Sequence, residues 1–219
     1  MILNQATGIR IDGKKHMSKT TPMQEYLNPR FVYLPLLQQN SPLKRTVDVG
    51  AMVKIGQTVA VREGFGAMPI HASVSGKVTA VKKVWHASGR MVDALEIEND
   101  HQNALDDAIR PEADPDIFTR AELVQKMQNA GLSGLGGAGF PTYVKYQAKT
   151  PIDVVIINAV ECEPYITCDY VMIEKYPEKL LKGLKYFMRA ADAKRGVICY
   201  KNYNVGIAEA LKPFLSAYP

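Results

Sequence analysis

Cysteine is scarce in this chain. Only Cys162, Cys168 and Cys199 occur in 219 residues, and no two of them form a C-x-x-C pair. That spacing excludes a cluster or zinc motif, and the odd count argues against a disulfide framework, so reduced thiols and no metal site are expected. The four histidines, His16, His71, His86 and His101, stand too far apart in sequence to form a ligand pair. No run approaches the roughly 18 consecutive apolar residues of a membrane helix. The start, Met1-Ile-Leu-Asn-Gln-Ala-Thr, has no charged-then-apolar leader pattern. A cytosolic chain without a membrane span is therefore expected, with docking on a membrane partner still open. The net charge of +5 comes from scattered lysines and arginines. No basic face interleaved with aromatics stands out, so nucleic acid is not an expected partner.

What is present has room for one large or two modest domains. Residues 1–30 read as an N-terminal arm with little periodicity. Phe31-Val-Tyr-Leu-Pro-Leu-Leu37 is an apolar run whose Pro35 suits an edge strand. Residues 31–110 form a β-rich domain: from Val47 onward, short alternating runs are punctuated by Gly50, Gly56, Gly64, Gly66 and Gly76. Val78 to Val84 and Met91 to Ile97 read as a longer hairpin. A polar stretch from Asn99 to Pro115 marks the boundary. Residues 116–219 form an α/β domain. Thr119 with Glu122 is a capping box, Leu123, Val124 and Met127 repeat at helical spacing, and Gly131 is the C-cap. A second helix is expected from Pro141 to about Ala148. Pro151-Ile-Asp-Val-Val-Ile-Ile157 reads as a strand buried on both faces. A helix from about Tyr176 to Ala191, a strand Gly196–Tyr200 and a helix Ile207–Leu215 complete a parallel α/β pattern, in which ligands sit at the carboxyl ends of strands.

Two stretches carry chemistry. Gly131-Leu-Ser-Gly-Leu-Gly-Gly-Ala-Gly-Phe-Pro-Thr142 places Gly134, Gly136, Gly137 and Gly139 in a short span with Ala138, so bare amides can approach an anion at the start of a helix. Gly134 to Gly139 satisfies G-x-G-x-x-G, yet it follows a capped helix where the dinucleotide fingerprint must follow a strand. The alternative is a glycine turn that only lets two helices reverse closely. Glu161 and Glu163, three and five residues after Asn158, leave the end of a strand. Two carboxylates so close repel unless solvated or given donors, so they suit the hydroxyl or ring N–H groups of a ligand. A solvated strand-end pair is the alternative. Phosphate cradle plus hydroxyl acceptors together point to a nucleotide.

The β-rich stretch resembles the barrel-sandwich hybrid fold of biotinyl and lipoyl domains in Gly50-Ala-Met-Val-Lys-Ile-Gly-Gln-Thr-Val-Ala60 and Ala72-Ser-Val-Ser-Gly-Lys-Val78. The hairpin tip Glu63-Gly-Phe-Gly-Ala-Met-Pro69 has no lysine to carry a cofactor. A scaffold or docking module is expected. Gly134-Leu-Gly-Gly-Ala-Gly-Phe-Pro-Thr142 with Lys145, followed by Asn158-Ala-Val-Glu-Cys-Glu-Pro164, is similar to the FMN and NADH site of the flavin subunit of respiratory complex I. Glu161-Cys-Glu-Pro-Tyr-Ile-Thr-Cys-Asp169, Leu34-Pro-Leu36 and His71-Ala-Ser-Val-Ser-Gly76 more closely resemble the RnfC family, a component of the Rnf electron-transport complex, and the related cobalamin reductases. The resemblance runs over nearly the whole chain.

It implies a β domain of barrel-sandwich type followed by a complex I flavin-subunit-like α/β (Rossmann-like) domain. The loop of Gly134, Gly136, Gly137, Ala138 and Gly139, with Lys145, would hold the FMN phosphate and ribityl groups. Asn158 and Glu161 would contact the flavin, Phe140 would stack on the nicotinamide nucleotide, and Glu163 would bind its ribose. Hydride would pass from NADH to FMN, and electrons on to [4Fe-4S] clusters. The implied setting is a membrane electron-transport complex, with this chain peripheral at the inner face of the cell membrane and other subunits as partners. Leu135 and Val160 stand where the complex I protein has a basic and an acidic residue. The paired cysteines of the clusters are absent, which favours the front part of a longer oxidoreductase. A cobalamin reductase and a non-catalytic docking module are the rival readings.

Overall fold

The computed structural model describes residues 12–24, 28–110, 114–135, 139–148 and 150–218. In chain order, α1 (His16–Lys19) precedes β1 (Phe31–Pro35), β2 (Leu37–Gln38), β3 (Ser41–Pro42), β4 (Lys44–Arg45), β5 (Met52–Val53), β6 (Thr58–Val61), β7 (Ile70–His71), β8 (Gly76–Trp85) and β9 (Met91–Asn99). Then follow α2 (Arg120–Asn129), α3 (Thr142–Lys145), β10 (Val154–Ala159), α4 (Cys168–Lys175), α5 (Pro177–Ala191), β11 (Arg195–Tyr200) and α6 (Val205–Leu211). Two compact units result: residues 25–151 form one, and residues 152–219 join the N-terminal residues up to 24 in the other. Among the described residues no helix is long and apolar enough to cross a membrane.

In the first unit, β1, β9, β8 and β5 form one antiparallel sheet and β4, β6 and β7 another. β1 is an edge strand, as its Pro35 requires, because a residue without an N–H cannot serve a central ladder. Val53, Val59, Ala72, Val74, Val78, Leu95 and Ile97 form the core, each at most 6% exposed. They come from alternate positions of the short runs, which is why such glycine-punctuated alternation folds into facing sheets. The hairpin β8–β9 is longer than its apolar pattern indicates, since pairing continues through Trp85 and Met91.

Helix α2 starts at the capping box: Glu122 N donates to Thr119 Oγ1, and Thr119 N donates back to Glu122 Oε2. Leu123 and Met127 are buried, and Gln128 Nε2 donates to the Ala67 carbonyl, so the helix seats on the β domain. Gly131 ends it with φ +65, and an added Cβ would stand 2.8 Å from the Pro69 carbonyl oxygen. Only glycine meets both conditions at once. The helix expected from Pro141 to Ala148 shrinks to the single turn α3. Carbonyls that follow it are taken by Arg120, whose Nη2 donates to Tyr146 O and Ala148 O.

In the second unit β10 and β11 pair in parallel from Val154↔Arg195 to Ala159↔Tyr200. Ala159, Ile173, Leu181, Ile207 and Leu211 make the core, with Ile198, Tyr200 and Phe214 packed on it. The apolar run before Asn158 is not buried on both faces: Val155 and Ala159 point in, while Ile156 is 60% exposed and Asn158 faces out. Residues of α4, α5 and α6 fill the core on the inner side, and a continuous apolar run carries no sign of that asymmetry. Helix α4 has no sequence signature, because Thr167 caps nothing with its side chain. Helix α6 stops at Leu211 and continues as a 3-10 turn, since Pro213 lacks the N–H that the next α-helical bond needs.

Gly131→Ala is expected to destabilise the first unit by about 1–3 kcal/mol, from the left-handed backbone and the Pro69 contact together. Urea denaturation measures it; an unchanged midpoint would show that the end of α2 does not rest on Pro69.

Candidate functional site

The glycine stretch closes on itself. Gly134 N donates to Phe140 O at 2.9 Å, Thr142 N donates to Leu132 O at 2.9 Å, and Ser133 bridges Pro141. The two ends are thereby clamped as a small antiparallel turn. Gly136, Gly137 and Ala138 lie outside the described residues. At Gly139, with φ +56, nothing stands within 4 Å of an added Cβ, and Leu135 is 98% exposed. The open space beside Gly139 is the kind of cradle that a ligand can enter and a side chain would fill.

Lys145, at the end of α3, holds its ammonium 5.9 Å from the Phe140 ring centroid. No carboxylate pairs with it among the described residues, and Phe140 is itself 39% exposed. A helix of one turn contributes little macrodipole, so the charge available to an anion here is the lysine rather than a helix end.

The acidic residues belong to the other unit. Asn158 lies exposed at the carboxyl end of β10, its Oδ1 accepting from Val160 N at 3.0 Å. Glu161 and Glu163 resolve their repulsion by separating. Glu163 is exposed, and no described residue partners its carboxylate. Glu161 turns inward and is 6% exposed; Oε1 accepts from Asp169 N at 2.7 Å, so it caps the start of α4 that Thr167 leaves uncapped. Its Oε2 lies 3.9 Å from Lys15 Nζ, inside ion-pair reach but too far for a hydrogen bond, and it accepts none. A buried carboxylate oxygen without a donor has capacity for one more, which suits a ligand N–H or O–H.

Lys15 gives no signal in the sequence, where it is one lysine of a polar arm. It is 6% exposed, and its Nζ donates to the carbonyls of Glu163 at 3.0 Å and Ile166 at 2.5 Å. Glu161, Cys168 and Asp169 bring three potential metal-ligand atoms within 4.8 Å of one another. The Lys15 ammonium beside Glu161 already supplies a positive charge there. Burial, and next the Asp169 and Glu161 charges, push the Cys168 thiol up from its ordinary value.

Residues 3–102 match the family described as the RnfC barrel sandwich hybrid domain, and residues 127–219 match the Nuo51 FMN-binding domain. The C subunit of the Na(+)-translocating ferredoxin:NAD(+) oxidoreductase complex of Acetobacterium woodii is 35% identical over 207 residues, covering 93% of this chain and 47% of that protein. The C subunit of the ion-translocating oxidoreductase complex of Pasteurella multocida is 32% identical over 195 residues, 83% of this chain and 22% of its own. The corresponding protein of the proton-translocating ferredoxin:NAD(+) oxidoreductase complex of Clostridium ljungdahlii is 29% identical over 209 residues, 94% and 46% respectively. The chain spans less than half the length of these relatives.

The raised thiol sets a pH dependence. With less thiolate at pH 8, Cys168 is expected to react with iodoacetamide several-fold more slowly in the folded protein than after unfolding in urea, the gap narrowing as pH rises past the folded value. Peptide mass mapping of the alkylated protein reads it; equal rates at pH 8 would remove the burial and carboxylate effects from Cys168.

Proposed function

Because the chain belongs to the RnfC family of electron-transport proteins, we propose that it contributes an FMN-binding and NADH-binding site to an ion-translocating oxidoreductase. The observation that carries the reading is the clamped glycine turn, open at Gly139 and followed by Lys145 without an acid partner among the described residues. An ammonium without an acid partner among the described residues, beside a glycine turn open at Gly139, fits a phosphate monoester better than a neutral ligand. Gly134, Gly136, Gly137, Ala138 and Gly139 would cradle the FMN phosphate and ribityl chain, with Lys145 as its counter-charge. Asn158 and the donor-free oxygen of Glu161 would meet polar groups of the flavin. Phe140, partly exposed, would stack on the nicotinamide nucleotide, and Glu163 would accept from its ribose hydroxyls.

The hydride acceptor and the one-electron chemistry are what bound FMN supplies; the protein orients it and limits water at the reacting face. Electrons would leave to [4Fe-4S] clusters held outside these residues, within a complex whose other subunits keep this one at the inner face of the membrane. The α/β unit would serve as the Rossmann-like half of the flavin domain, with the barrel-sandwich domain as its docking scaffold. A cobalamin reductase would use the same residues with a different acceptor.

Titration of FMN into the purified protein is expected to quench flavin fluorescence in the micromolar range, and Lys145→Ala to weaken binding by about 1.5–3 kcal/mol, the usual range for a hydrogen bond to a charged group. No quenching in the wild-type protein would turn the reading toward a docking module; equal affinity in the variant would remove Lys145 from the site.

A further inference from the structure

The acidic turn does not hold its shape by itself. Tyr165 sits at φ +63, a left-handed conformation that a side chain of this size seldom adopts, and its N–H donates to the Gly13 carbonyl at 2.7 Å. Lys15 donates to the carbonyls of Glu163 and Ile166, and its ammonium lies 3.9 Å from Glu161 Oε2. The segment bearing Gly13 and Lys15 is itself fastened further along. Lys19 Nζ donates to Asn204 Oδ1 at 2.6 Å and lies 4.2 Å from the centroid of the Tyr170 ring, and Asn204 is 1% exposed. Residues 13–19 thus form a strap across residues 161–166, anchored through α1 on α4 and on the start of α6.

We propose that Lys15 is a positioning residue for nucleotide binding: through the strap it fixes the Glu161–Ile166 turn in the form that presents Glu163 to solvent and keeps Glu161 inward with one free oxygen. The inference rests on the reading of that turn as a nucleotide-binding element. Lys15 itself touches no ligand. Its two carbonyl bonds set the backbone on both sides of Pro164 and Tyr165, and its charge offsets the buried Glu161. Because a lysine forms these contacts from the far end of a flexible stem, removing it frees the turn without deleting any ligand-facing group.

A double-mutant cycle in the purified protein tests this, with NADH affinity read by fluorescence titration and folding read by thermal melting. Glu163→Gln and Lys15→Met are each expected to weaken NADH binding about tenfold, and the double variant no more than either alone, because Lys15 acts through the turn that Glu163 stands on. Lys15→Arg is expected to recover most of the affinity. Additive losses, or unchanged affinity in Lys15→Met while Glu163→Gln is weakened, overturn the positioning role alone. Unchanged affinity in Glu163→Gln overturns the nucleotide reading of the turn, and the Lys15 proposal with it. If Lys15→Met does not fold, limited trypsin digestion of the wild-type protein decides. NADH is expected to slow cleavage between Lys14 and Lys19, and cleavage at an unchanged rate overturns the strap.

Discussion

A carboxylate withdrawn from water must be given donors or a counter-charge, and at Glu161 the chain supplies both from places far apart in sequence. Asp169 N–H reaches it from the first turn of α4, and the Lys15 ammonium reaches it from the N-terminal segment. Burying either ion alone costs several kcal/mol, so each depends on the other to stay out of water. The consequence extends beyond one pair. The start of a helix, the shape of the turn after β10 and the docking of residues 12–19 on the α/β unit all depend on the same buried charge.

The glycine turn solves a different problem. A binding role requires backbone amides that no side chain covers, and stability requires that such a bare segment not collapse. The bonds Gly134 to Phe140 and Leu132 to Thr142 clamp the ends, while α2 fixes the turn to the β domain through the Gln128–Ala67 bond and the close approach of Gly131 to Pro69. The order of the described part of the turn comes from its flanks. This division is the usual arrangement for binding loops carried on a scaffold.

Much of this is legible in the residues. The capping box at Thr119, the helix stop at Gly131, the edge strand forced by Pro35 and the parallel pair of strands each follow from a local rule, and the structure repeats them. What the sequence hides is non-local. Helix α4 borrows its cap from Glu161, six residues ahead of Thr167, so no capping box announces it. The exposed outer face of β10 depends on which side the helices pack, which a run of Val and Ile does not encode. Lys15 looks like any lysine in a polar arm until the turn it holds is in place. The two glutamates are legible as chemistry but not as geometry: similar in sequence, one is buried with protein donors and the other faces water.

The proposal that the glycine stretch and the acidic turn each contact a flavin nucleotide is tested most directly by hydrogen–deuterium exchange of the protein with and without FMN. Protection on adding FMN is expected at residues 131–142 and 158–166. Protection absent from both stretches, or confined to the cavity lined by Arg62, His71 and Asp106, would contradict it.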